Sequence, residues 1–116
     1  MPTVVEDDDL NIMAQMHTND MIARSFVGHV NPSGENVAAR ARKYGFTGPI
    51  GENIAVSSNL TNAHLSLERS PAHLMNSVKS GWTRVGFGIE KNQRGSFVVT
   101  VLFSSRNMEN RPLTPQ

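Results

Sequence analysis

Two periods run along this chain. From Leu10 to Phe26 apolar positions recur at helical spacing, and from Arg84 to Ser104 they alternate. The stretch "LNIMAQMHTNDMIARSF" has no proline or glycine and reads as a helix. Its Leu10, Met13, Ala14 and Met21 fall on one face, and Ile12, Met16, Ala23 and Phe26 on another. A helix apolar on two faces is packed from two sides. Asp9 is suited to cap this helix at Leu10, which leaves residues 1–9 as an N-terminal tail. "VGHVNPSG" breaks the pattern. Ser33 is read as the cap of a second helix, "GENVAARARKYG", which Gly45 ends as a left-handed C-cap.

Phe46 to Gly51 is turn-rich, and Ile54 to Ser57 reads as a brief strand. Asn59 or Thr61 opens a third helix, "NAHLSLER". Ser70-Pro71 starts a fourth that runs to Gly81, since serine at the cap and proline at the first helical position both favour initiation. Beyond it, Val85, Phe87 and Ile89 alternate with Arg84, Gly86, Gly88 and Glu90. Phe97, Val99, Val101 and Phe103 alternate with Val98, Thr100, Leu102 and Ser104. The runs 83–90 and 96–104 are expected to pair antiparallel through the loop Lys91–Gly95. The second run is apolar on both faces, so both need cover. Gly86 and Gly88 leave one face of the first run bare, for a close-packed helix or a groove floor. The expected fold is α+β, a three-layer α-β-α sandwich with a small antiparallel sheet, over 10–104, followed by a tail at 105–116.

Composition narrows the function classes. With 116 residues there is material for one domain, and 38% hydrophobic content supports a packed core. The formal net charge of +1 gives no footprint for nucleic acid or an anionic membrane. The basic residues Arg40, Arg42 and Lys43 read as a solvated helix face. No cysteine is present, which excludes disulfides and thiolate metal sites. No apolar run approaches the roughly 20 residues of a membrane span. The start, "MPTVVEDDD", carries no signal-peptide core, so the chain either stays inside or follows a leader absent from it. Asn59-Leu60-Thr61 matches the glycosylation sequon, of consequence only in a eukaryotic secretory pathway.

The titratable candidates are His17, His29, His64, His73 and Glu52. His29 lies in the loop after the first helix. His73 lies in the first turn of the fourth, where the helix end favours a neutral, ligand-competent ring. His17 and His64 sit inside amphipathic helices and read as hydrogen-bonded core or boundary residues. No known zinc spacing occurs, and no GxSxG nucleophile motif. Glu52 is the odd residue: an ionisable group in "TGPIGENIAVS", where the chain is about to enter the core. By itself it reads as a carboxylate satisfying backbone N–H groups of the turn.

"MIARSFVGHVNPSG", "YGFTGPIGENIA", "AHLSLERSPAHLMN", "TRVGFGI" and "VTVLFS" follow one another with short gaps. In that order they resemble the CAP superfamily, or SCP-like domains (cysteine-rich secretory proteins, antigen 5, pathogenesis-related 1), in its short cysteine-free bacterial form. The likeness covers Leu10 to Ser104. It implies an α-β-α sandwich, secreted or periplasmic, with a cleft of two histidines and acidic residues that binds a divalent metal in some members. The histidine of the family's F-x-H motif falls on His29, the glutamate of GEN on Glu52, and the histidine of SPxH on His73. Asn53 matches the GEN asparagine, a turn-fixing residue. A second glutamate, found in many eukaryotic members, has only Glu68 as a counterpart here, and Ser70 competes for that place. The first helix usual in bacterial members is missing, so a doubly apolar helix at Leu10 lacks a partner. A homodimer, a borrowed segment or cover from a tail is expected there.

Two functions follow. The first is a non-enzymatic module whose cleft binds Zn²⁺ or another divalent cation and a small apolar ligand, a peptide or a partner protein. The second is a metal-dependent hydrolase, with His29 and His73 as ligands and Glu52 as general base. Two histidines fall short of the three protein ligands that catalytic zinc sites use, which ranks catalysis second.

Overall fold

The computed structural model describes residues 4–58 and 81–105. The helices read between Asn59 and Ser80 lie outside the described residues. Strand β1 is Val5–Glu6, helix α1 Asp8–Ala23, helix α2 Val37–Tyr44, and strands β2, β3 and β4 are Ile50–Ser57, Arg84–Lys91 and Phe97–Ser104. The four strands form one mixed sheet in the order β1-β3-β4-β2. As the alternation predicts, β3 and β4 pair antiparallel, with Phe87 opposite Val101. The sheet is not wholly antiparallel, because β1 joins β3 in parallel.

The start of the chain differs from the sequence reading. Val5–Glu6, read as tail, adds a strand, and the helix begins at Asp8 with Asp7 as its cap rather than Asp9. Asp7 Oδ1 accepts from the backbone N–H of Asp9 at 2.8 Å and of Leu10 at 3.2 Å. Its Oδ2 takes Arg84 Nε at 3.3 Å. Three successive aspartates could each cap; the cation on β3 selects the one that the strand brings beside it.

Helix α1 lies on the sheet. Leu10, Met13, Ala14 and Met21 are buried, while Ile12, Met16 and Ala23 are exposed. Gly86 and Gly88 are the reason the helix can sit so low. A Cβ on Gly86 would meet Leu10 backbone carbon at 2.3 Å, and one on Gly88 would meet Ala14 backbone carbon at 2.4 Å. The bare face of β3 is thus a seat for a close-packed helix. Thr18 and Thr100, both buried, add a hydroxyl–hydroxyl bond of 2.8 Å between α1 and β4.

Helix α2 is capped by Asn36, not Ser33: Asn36 Oδ1 accepts from Ala39 N–H at 2.9 Å. Gly45, at φ 97°, ends it in the left-handed region as its position predicts. Leu10, Met13, Ala14, Ala41, Phe46 and Leu102 form one core cluster, so α1 and α2 share a face of the sheet. Val99, Val101 and Phe103 form another cluster on the opposite face, with Ala55, Trp82 and Val85 against it.

Strand β2 starts four residues earlier than read, at Ile50 instead of Ile54. It pairs antiparallel with β4, with Glu52 opposite Leu102. Glu52 therefore lies within the strand and not before it. Gly51 allows Trp82 to pack onto the strand, its ring 3.1 Å from where a Cβ would stand.

Candidate functional site

The register of β2 decides where Glu52 points. Cross-strand neighbours share a face, so Glu52 stands with Leu102 on the side covered by α1 and α2. Its side chain is 1% exposed. A carboxylate so deep requires partners, and three parts of the chain bring them. The loop after α1 supplies His29, whose Nδ1 lies 2.8 Å from Glu52 Oε1. Helix α2 supplies Arg40, whose Nη2 donates to Glu52 Oε1 at 3.0 Å and to the His29 carbonyl at 2.9 Å. Arg40 Nη1 lies 2.9 Å from Glu52 Oε2. That contact is an ion pair, and Oε2 accepts no hydrogen bond.

The tautomers follow from the partners. A carboxylate paired with a guanidinium is an acceptor only, so His29 Nδ1 carries the proton and donates it. In the neutral ring the lone pair of His29 is then on Nε2, in a side chain that is 61% exposed. His17, on α1, is buried. Its Nε2 donates to the Gly28 carbonyl at 2.8 Å and stands 4.0 Å from Glu52 Oε2. His17 Nδ1 has no hydrogen-bond partner, nor has Arg40 Nε. Burial pushes the His17 pKa below its ordinary value, and the nearby Arg40 charge adds to the shift, opposed by the Gly28 bond and by Glu52. Phe26 packs edge-on against the His17 ring at 5.7 Å.

Of the residues singled out in the sequence, His29 and Glu52 converge. Glu68, Ser70, His64 and His73 lie outside the described residues. His17 is a buried, hydrogen-bonded histidine, and it also belongs to the Glu52 cluster. Arg40 is the residue the sequence reading placed wrongly: it is the counter-ion of Glu52 and not part of a solvated face. A signal existed. Val37, Arg40, Ala41 and Tyr44 stand at i, i+3, i+4 and i+7, the face of α2 that meets the sheet, while Arg42 is turned away and exposed. Among the described residues no group of three His, Asp or Glu side chains could hold a metal ion. His29 can contribute one ligand, and its Nδ1–carboxylate bond is the arrangement that orients metal-binding imidazoles.

A helix-on-sheet domain with a buried Glu–Arg pair orienting an exposed imidazole is the class of protein that the fold and site define. The sequence model of the CAP family, the cysteine-rich secretory protein family, matches residues 1–103, and the chain belongs to that family. No curated protein matches it. Among solved structures it resembles an outer surface protein from Borrelia burgdorferi, with a TM-score of 0.73 and 20% identity over 92% of this chain and 80% of that one. It also resembles an extracellular protein containing a SCP domain from Bacillus anthracis str. Ames, with a TM-score of 0.74 and 22% identity over 91% of this chain and 35% of that one. The shared fold is that of SCP domains. No helix among the described residues is long and apolar enough to cross a membrane.

Proposed function

We propose that this chain is a secreted or periplasmic, non-enzymatic CAP module that presents His29 Nε2 to a divalent cation, with His73 as a second ligand. One observation carries the reading: a buried, arginine-paired carboxylate holds His29 by Nδ1 and leaves Nε2 outward. Glu52 acts behind the ligand and not as one. Zn²⁺ suits an imidazole set of this kind. The extracellular character of the two structural relatives, stated in their names, supports a location outside the cytoplasm.

The hydrolase reading ranks second. It asks Glu52 to take a proton from metal-bound water, yet the side chain is 1% exposed with Oε1 shared between His29 and Arg40. A peptide, a partner protein or a second copy of the chain would dock on α1 where Ile12 is exposed. Calorimetric titration with Zn²⁺ of the wild type, His29→Ala and His73→Ala tests the cation site. Saturable binding lost in both variants is expected; equal binding in all three would overturn it.

A further inference from the structure

His29 sits in a segment with little backbone structure of its own. Among the described residues, no backbone–backbone hydrogen bond involves residues 27–30. Such bonds come at its two ends, where Phe26 N–H donates to the Met21 carbonyl and Asn31 N–H to the Glu35 carbonyl, each at 3.0 Å. Core packing does not fix the segment either, since Val27 and Val30 are both more than half exposed. An imidazole offered to a cation nevertheless needs one fixed direction.

Two side chains supply what the backbone lacks. His17 Nε2, from α1, donates to the Gly28 carbonyl at 2.8 Å, and Arg40 Nη2, from α2, donates to the His29 carbonyl at 2.9 Å. These carbonyls stand on either side of the His29 Cα. Peptide units are planar, so the orientation of the two units sets φ and ψ of His29. Together the two donors thus fix the direction of the His29 Cα–Cβ bond, and Glu52 then fixes the ring through Nδ1. His17 is itself well anchored: α1 is seated on Gly86 and Gly88, and Phe26 packs edge-on against the ring. Its Nε2 proton is committed to the carbonyl, because Glu52 Oε2 stands 4.0 Å away, beyond hydrogen-bond reach. The ring also carries a cost. Its Nδ1 is buried without a hydrogen-bond partner, a penalty that an apolar side chain would not bring. What a histidine supplies here, and a leucine would not, is the bond to Gly28.

We propose that His17 is a positioning residue of the cation site: through the Gly28 carbonyl it sets the backbone of His29, and so the aim of His29 Nε2. The inference rests on the cation reading above for its consequence and on the loop alone for its geometry. His17→Leu removes the donor and keeps an apolar side chain, whereas His17→Gln restores a donor near the place of Nε2. Thr18→Val breaks the bond to Thr100 one residue further along α1 and is the control for lost stability alone. The readouts are the His29 tautomer by long-range ¹H–¹⁵N correlation, the amide order parameters of residues 27–30, and Zn²⁺ affinity by calorimetry. In His17→Leu the order parameters should fall below about 0.6. The Nδ1–H preference of His29 should weaken, and Zn²⁺ affinity should drop about 10–100-fold, as loss of an outer partner of a metal ligand does. His17→Gln should recover most of each. Thr18→Val should lower Tm and leave all three at wild-type values. His17→Phe, which keeps a ring beside Phe26, repeats the test should the leucine variant not fold. A wild-type tautomer and wild-type order parameters in the donor-free variants, or an equal loss in Thr18→Val, would overturn the proposal. Undiminished Zn²⁺ binding by His17→Leu would sink this role alone. Absence of Zn²⁺ binding by the wild type would sink the cation reading, and the tautomer and loop order, which need no metal, would still decide whether His17 sets His29.

Discussion

His29 and Glu52, 23 residues apart, meet through a single 2.8 Å hydrogen bond between an exposed imidazole and a buried carboxylate. Arg40 makes that possible, since it neutralises Glu52 and also holds the His29 carbonyl. The charge that orients the ligand is therefore itself held from the core side.

Arg40→Met leaves Glu52 buried without its counter-ion and should cost about 3–5 kcal/mol of stability. Adding Glu52→Gln should return much of that loss, because no uncompensated charge remains. Urea unfolding of both single variants and the double variant measures the coupling; additive losses would mean that the pair is not the unit described.

The glycine seat is tested by Gly86→Ala. A Cβ there falls 2.3 Å from the α1 backbone, and backbone cannot swing aside as a side chain can. A loss of about 1–3 kcal/mol or more is expected by denaturant unfolding, as overpacking of a tight core produces. An unchanged midpoint would show that α1 does not sit on β3 at this distance.

Much of this architecture is legible along the chain, and the misses have physical causes. The β3–β4 hairpin is legible because period two marks two strands and the short loop between them is too brief for a parallel crossover, and Gly86 and Gly88 announce the helix seat by lacking side chains in a strand. Gly45 announces its cap. The placement of Glu52 beside an apolar run correctly flags a buried charge. Its partner does not show at that level: Arg40 reaches Glu52 from another element, and only the i, i+3, i+4, i+7 face of α2 reveals it. The cap of α1 is misread for a similar reason, since the choice among three aspartates is made by Arg84 from β3. Strand β2 begins early because its pairing with β4 already runs from Ile50 opposite Ser104, a partner far along the chain that the local turn composition does not announce.

The free edge of β3 beyond β1 is covered by side chains. Asn11 Oδ1 accepts from Phe87 N–H at 2.8 Å and Gln15 Oε1 from Ile89 N–H at 3.0 Å. The two amides stand in for a neighbouring strand, and unpaired strand edges recruit other chains. Asn11→Ala/Gln15→Ala should self-associate more than the wild type in sedimentation velocity. A monomer with wild-type hydrogen exchange at Phe87 and Ile89 would contradict the role.

His17 predicts the pH dependence of stability. Burial lowers its folded-state pKa below the ordinary 6.5. Below 6.5 the unfolded chain then binds more protons than the folded one, so stability rises with pH. The contribution is fully present above that value and is lost as pH falls through the lowered folded pKa. Thermal unfolding across this window should show a falling Tm on acidification that His17→Gln flattens; an equal slope in the variant would assign the effect elsewhere.

The orientation of His29 is the centre of the proposed function, and its tautomer reads it directly. Long-range ¹H–¹⁵N correlation of the imidazoles, in buffer alkaline enough to keep them neutral, distinguishes Nδ1–H from Nε2–H. His29 should show Nδ1–H in the wild type, lose that preference in Glu52→Ala, and shift at Nε2 alone when Zn²⁺ is added. An Nε2–H pattern for His29 in the wild type would contradict the arrangement, because the nitrogen offered to the cation would then already carry a proton.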